Sequence, residues 1–246
     1  MNQDIDPREV GRLRDARARV LDRIGEACDR VGRDASSVTL VAVSKTVPPD
    51  RVRAGVAAGL DLLGENRVQE AETKVPLVPG ARWHLIGPLQ SNKARRAVRV
   101  FDAIESVGSV ELAGRLDRVV REERALPGDG LVEPGKRLRI LLEVNVDRDP
   151  AKAGLPPSEL EAAVEAIAAL GALELAGLMT IGRAVERAEE ARHTFSALRD
   201  LSERLRSRGI PLGPELSMGM TDDYPVAVEE GATIVRVGRA LFGERP

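Results

Sequence analysis

Aromatic side chains are nearly absent: phenylalanine, tryptophan and tyrosine make up 2% of the chain, with one Trp and one Tyr. A core without aromatics must be filled by Leu, Val, Ile and Ala, and the stacking platforms that single-stranded nucleic acids require are hardly available. Cysteine is as scarce. The single Cys28 cannot close an internal disulfide, and it lies in a helical stretch with no His or second Cys at ligand spacing, so no structural zinc site is expected and the thiol reads as a small buried hydrophobe. An excess of one charge is also lacking. Lys plus Arg number 37 against 39 for Asp plus Glu, so no broad field draws the chain to nucleic acid or to an anionic membrane. Nowhere do about 18 apolar residues run together, and the charged N-terminus, MNQDIDPREVGRLRDARARV, has no apolar leader segment. The expectation is a cytoplasmic protein with a small-molecule ligand and no metal.

What is present is a repeated alternation. From Asp6 to about Arg33, apolar residues recur at helical spacing (Val10, Leu13, Ala16, Val20, Leu21, Ile24, Ala27), after an Asp and a Pro suited to the cap and first turn. Eight short runs rich in Val, Leu and Ile follow: 38–43, 60–63, 83–86, 103–106, 138–146, 176–181, 215–218 and 233–237. Most lead through a polar or glycine-containing turn into a helix-like stretch, as at 47–57, 65–74, 91–100 and 158–170. Strands alternating with helices predict a parallel sheet covered on both faces. Eight units in 246 residues match a (β/α)8 TIM barrel of about 250 residues. An open doubly wound sheet would use fewer strands and a glycine-rich first turn, which VAVSKTVPPD lacks. The sequence thus predicts one α/β barrel domain over 1–246, with an extra N-terminal helix in 1–35. The segment 126–137, with three Gly and two Pro, reads as a surface loop within it.

Barrel sites are built at the C-terminal ends of strands, and the groups that end these runs are distinctive. Lys45 directly follows VAVS, so alternation brings its amine to the barrel mouth. Desolvation there would lower its proton affinity from a reference pKa of about 10.4 and expose a neutral amine for bonding to a carbonyl. A lone lysine of this kind is more often structural; its company matters. In LSMGMTDD the Ser217 hydroxyl and the backbone amides of Met218 and Gly219 can donate to an anion, with a helix expected to begin near Thr221, and Gly238 permits close backbone approach. Arg236, inside the apolar TIVRVG, must meet a ligand or a carboxylate. His193 reads as surface or packing, and the Asp222-Asp223 and Glu229-Glu230 pairs have no metal-ligand spacing.

The motifs SKTVPP, GENRVQE, WHLIGPLQSNK, EVNVDRDPAKAGL, GLMTIG, LSMGMTDD and VRVGRALFGER, in this order from about Val38 to Arg245, resemble the pyridoxal phosphate homeostasis protein family. These are single-domain relatives of the alanine racemase barrel, the type III fold of enzymes dependent on pyridoxal phosphate (PLP). The resemblance implies that PLP is bound as a Schiff base to Lys45. It implies phosphate contacts from Ser217, Gly219, Gly238 and Arg239, Arg236 at the pyridine nitrogen, and Asn66 and His84 lining the same cavity. It further implies a role in vitamin B6 and amino and keto acid homeostasis, with apo PLP-dependent enzymes as recipients. An arginine partner leaves the pyridine ring a poor electron sink, so transamination and decarboxylation are disfavoured. The alternative is an amino-acid racemase at the same site. That activity needs a second acid/base, which related racemases take from a further domain, whereas here the sequence stops at Pro246 and Tyr224 reads as packing or rim. The expectation is therefore a monomeric carrier without turnover. A generic phosphate-binding barrel lyase is a third reading, with no covalent cofactor.

Overall fold

The computed structural model describes residues 5–125, 135–183 and 185–244. Most of the loop read at 126–137 lies outside the described residues.

Helix α1 (Pro7–Arg30) starts where the sequence sets its cap, with Asp6 Oδ1 accepting from the Arg8 N–H at 2.9 Å and Pro7 in the first turn. Its apolar stripe, Leu13, Ala16, Val20, Ile24 and Ala27, is buried together with Cys28. It packs against three helices of the barrel's outer ring: α2 (Pro49–Ala57), α8 (Tyr224–Glu229) and α9 (Arg239–Phe242).

Among the described residues the strands β1 (Thr39–Val43), β2 (Leu62–Glu65), β3 (Arg82–Leu85), β4 (Ala103–Val107), β5 (Leu138–Glu143), β6 (Leu173–Met179), β7 (Glu215–Ser217) and β8 (Ile234–Val237) form a closed parallel barrel in sequence order. Closure runs through β1 and β8, where Thr39 pairs with Ile234 and Ala42 with Val237. Two-residue alternation divides the side chains, interrupted where the register shifts between β4 and β5 and between β5 and β6. Ala42, Leu63, Leu85, Ile104, Leu142 and Val235 face the helices in the main core, and Val41, Leu62, Leu141, Ala176, Met179 and Ile234 form a separate apolar layer inside the barrel. Burial on both faces explains why these strands read as unbroken apolar runs.

The other ring helices are α3 (Val68–Lys74), α4 (Ala94–Val100), α5 (Val110–Arg124), α6 (Leu160–Ala168) and α7 (Arg192–Ser207). Three local features depart from the sequence reading. α5, which the reading did not single out, begins at a Ser109 cap whose hydroxyl accepts from Leu112 N–H. β5 stops at Glu143, and Asn145 organises the following loop, its side chain accepting from Asp149 N–H and donating to Asp149 O. The helix after β7 begins at Tyr224, not near Thr221, because Asp223 accepts from Met220 N–H at 2.6 Å and closes a turn first. Tyr224 is fully buried, with the Arg23 guanidinium 5.3 Å from its ring centroid, and His193 is exposed on α7.

Candidate functional site

Lys45 stands where β1 ends and the chain turns. Val43 points into the barrel, Ser44 toward the helices, and Lys45 again toward the mouth, where it is partly buried. There it lines a cavity of about 180 Å³ with Asn66, Ile86, Arg236, Gly238 and Arg239. A second hollow of about 170 Å³ shares Val43, Lys45, Gly238 and Arg239 and extends toward Pro48, Arg51 and Phe242. Five residues expected to form one site therefore do converge: Lys45, Asn66, Arg236, Gly238 and Arg239.

The β8 side supplies most of the polarity. Gly238 N–H donates to Thr221 Oγ1 at 3.3 Å, and the following turn closes with Leu241 N–H and Phe242 N–H on Gly238 O. A Cβ on Gly238 would stand 3.4 Å from the Val43 carbonyl oxygen, in van der Waals contact with the backbone two residues before Lys45. Arg239 pairs with Asp222, which keeps its guanidinium at the rim.

Beneath the cavity lies a buried polar chain. Arg236, 4% exposed, donates from Nη1 to Ser217 Oγ (2.6 Å) and from Nη2 to Thr180 O (2.8 Å). Ser217 in turn donates to Glu105 Oε2, and Glu105 Oε1 lies 2.6 Å from His84 Nδ1. An ionised carboxylate only accepts, so His84 presents its Nδ1 proton to it. Burial raises the proton affinity of Glu105, but the hydrogen bond and charge of His84, the charge of Arg236 and the Ser217 bond outweigh it, and its pKa falls below the ordinary range. Burial pulls the Arg236 pKa down, opposed by Glu105, Asp223 and Glu143. Burial pushes Glu143 and Asp223 up, each opposed in part by Arg236.

Two expectations are corrected, those for the Ser217 hydroxyl and for His84. The Ser217 hydroxyl does not line the cavity: it is fully buried and occupied by Glu105 and Arg236, because alternation along the short β7 turns it inward below the mouth. Met218, next in sequence, is turned the other way into the core against the helices, leaving only its backbone for any ligand. His84 does not share the Lys45 cavity; it opens into a hollow at the other end of the barrel with Arg82, Asp102, Arg139 and Glu215. Gly219 has φ +88°, and a Cβ there would fall 2.5 Å from Ala227 Cβ, so the turn itself demands glycine.

Sequence reasoning missed Thr221 and Asp222 as cavity residues, although both stand in the quoted LSMGMTDD motif. It also missed Glu105, which a charge inside the apolar AIESV run could have flagged by the argument applied to Arg236.

The sequence matches the family model for the alanine racemase N-terminal domain over residues 20–246. It is 39% identical over 230 residues to the pyridoxal phosphate homeostasis protein of Aquifex aeolicus, covering 93% of this chain and 96% of that one. To the protein of the same name from Pseudomonas aeruginosa it is 41% identical over 235 residues, covering 93% and 94%. The structure of PipY from Synechococcus elongatus with PLP bound superposes with a TM-score of 0.75 at 40% identity, covering 89% of this chain and 100% of that one. With identity of this order sustained along nearly the whole of both chains, this chain belongs to the pyridoxal phosphate homeostasis protein family.

Proposed function

We propose that this chain holds PLP at the mouth of the barrel through a Schiff base to Lys45, and acts as a cytoplasmic, monomeric carrier that buffers the reactive aldehyde without turning over a substrate. The observation that carries this reading is the convergence of Lys45, Asn66, Arg236 and the Gly238–Arg239 turn on one cavity. The donor set fits the group: one amine for an aldehyde, the Arg236 guanidinium for the ring nitrogen, and the Arg239 guanidinium with a glycine-lined turn for a phosphate anion. When bound, the cofactor supplies an aldehyde that condenses with a primary amine and releases water.

The residues account for binding better than for turnover. Arg236 is fixed by Ser217 and Thr180 and offers only N–H donors, so a ring nitrogen placed against it is hydrogen-bonded and not protonated. Asn66 adds a neutral polar contact on the β2 side. Gly238 and Arg239 receive the phosphate, with the backbone of Met218 and Gly219 behind them, while Ser217 acts indirectly by holding Arg236. A racemase would need a second acid/base facing Lys45, and Tyr224 is sealed in the core against α1, away from the cavity. Ile181 and Met220, both apolar and exposed at the rim, offer a contact for a recipient apo-enzyme. No helix among the described residues is long and apolar enough to cross a membrane, and no cluster of three potential metal ligands occurs among them.

The test is an absorbance spectrum after incubation with PLP, then borohydride reduction and mass mapping. A visible band that reduction removes, with the added mass on Lys45, is expected. Lys45→Ala should abolish the band with the melting temperature retained, since a lysine at a strand end contributes little to the core. A persisting band would move the linkage elsewhere, and exchange of an amino acid's α-proton in deuterated water would restore the racemase.

A further inference from the structure

The backbone on both sides of Lys45 is gripped from outside the barrel. Lys74, 4% exposed at the end of α3, donates from Nζ to Ser44 O (2.7 Å), Glu65 Oε1 (2.8 Å) and Glu70 Oε1 (2.6 Å). These three acceptors use all three of its donors. Ser44 Oγ donates to the same Glu65 oxygen at 2.7 Å, and Glu70 Oε1 also accepts the Thr46 N–H at 2.5 Å. The residue before Lys45 is thus held through its carbonyl and hydroxyl, and the residue after it through its amide.

Two features indicate that this grip does more than stabilise the core. Thr46 sits at φ +65°, a conformation that a β-branched residue avoids unless its surroundings impose it. In addition, Glu65 Oε2 is buried with no hydrogen-bond partner, and burial pushes the Glu65 carboxyl up against the opposing pull of Lys74 and Ser44. A buried ion pair can often be replaced by apolar residues of like volume at little cost or with a gain, so packing alone does not call for Lys74, Glu65 and Glu70 at this place. None of the three lines the Lys45 cavity. What they share is the two residues flanking Lys45.

We propose that Lys74, Glu65 and Glu70 are positioning residues that fix the backbone around Lys45 so that its amine is presented to the aldehyde carbon of the bound ligand. The inference rests on the reading of Lys45 as the attachment point. In that step the neutral amine adds to the carbonyl, the carbon–nitrogen double bond forms, and the aldehyde oxygen leaves as water with both amine protons. The network's hydrogen bonds run to Ser44 and Thr46 and restrict the backbone from which a long, flexible side chain must reach the aldehyde.

Glu70 is the residue to change, because its side chain is 23% exposed and its loss leaves no sealed void. The full-length wild type, Glu70→Ala and Glu70→Gln are mixed with PLP, and the growth of the reducible band is timed. Affinity for pyridoxine 5'-phosphate is measured in parallel: this alcohol keeps the ring and phosphate but cannot form the bond. Glu70→Ala should slow attachment about tenfold or more, the scale of a misplaced reacting group, with its affinity for the alcohol unchanged. Glu70→Gln, whose amide oxygen can still accept from Thr46 N–H, should recover most of the rate. Attachment at the wild-type rate in Glu70→Ala would overturn the proposal, and so would a proportional loss of affinity for the alcohol, which marks a general loosening. A wild type that forms no adduct at Lys45 would instead overturn the parent reading.

Discussion

Arg236 shows how a charge survives inside a parallel barrel. Desolvation opposes its ionised form, yet Ser217 Oγ and Thr180 O take up its donors and three carboxylates lie within electrostatic reach. Ser217 is the hinge of that arrangement, since it accepts from Arg236 while donating to Glu105. Ser217→Ala should therefore leave a buried carboxylate oxygen and a buried guanidinium N–H each short of a partner, at a cost of about 1–3 kcal/mol in unfolding free energy, read from a lowered urea midpoint. It should also weaken PLP retention through a looser Arg236, although the hydroxyl does not face the cavity. An unchanged midpoint would mean that water replaces the hydroxyl and that the chain from His84 to Arg236 is not a unit. The need for a partner at Arg236 was legible from TIVRVG; the identity of the partner was not, because it comes from β7 and β4 and depends on the stagger between strands.

At the scale of elements, nearly every strand and helix was legible because local signals agreed with the fold. Apolar runs buried on both faces, a polar turn, and then a 3.6-residue stripe repeat along the chain. What escaped was depth. His84 on β3 and Asn66 just past the end of the neighbouring β2 were expected together, but the parallel register pairs His84 with Gly64, two residues before Asn66, and so leaves His84 deeper in the barrel. Helix α1 carries an acid-sensitive tie of its own. Glu9 accepts from Arg12 on α1, through Nε at 2.8 Å and Nη2 at 2.7 Å, and from Nε of Arg51 at the start of α2 at 2.8 Å. The Arg12 hydrogen bond is the largest influence; with Arg51 it outweighs burial and holds the Glu9 carboxyl at about 2, against 4.5 for the free group. A lowered carboxyl pKa stabilises the fold above the unfolded value, and that stabilisation is lost as pH falls from about 4.5 toward 2. After allowance for solvent screening the effect should be about 1 kcal/mol. Glu9→Gln should flatten the acid limb of a stability–pH curve in this window and nowhere else; an identical limb would mean that α1 is held by its apolar stripe alone.

For the whole molecule, the site exists only because eight strand ends are brought into one ring, so closure is a condition of function as much as of stability. The ring is thinnest at β7, a three-residue strand with the single register pair Ser217 and Ile234 toward β8 and three pairs toward β6, although backbone bonds such as Met218 N–H to Ile234 O also tie it to the β8 side. There two backbones approach too closely for side chains. A Cβ on Gly177 would lie 2.0 Å from Glu215 O, and one on Gly213 would lie 2.2 Å from Ala176 O. Neither contact can relax by turning a side chain, because the obstructing atoms are carbonyls of the neighbouring segment. Gly177→Ala must therefore push β7 away from β6, which displaces Ser217 and, through it, Arg236. A loss of about 3 kcal/mol or more in unfolding free energy is expected, in the range reserved for backbone incompatibility and broken buried networks. Gly25→Ala is the control: it adds the same methyl group within α1, where nothing lies within 4 Å, and should stabilise by about 0.5–1 kcal/mol through helix propensity. Denaturant midpoints of the two variants thus move in opposite directions if closure at β6 and β7 is what holds the mouth in shape. A Gly177→Ala protein with the parental midpoint and the parental rate of PLP attachment would mean that these strands can part without cost, and that the Lys45 site is assembled by the β8–β1–β2 arc alone.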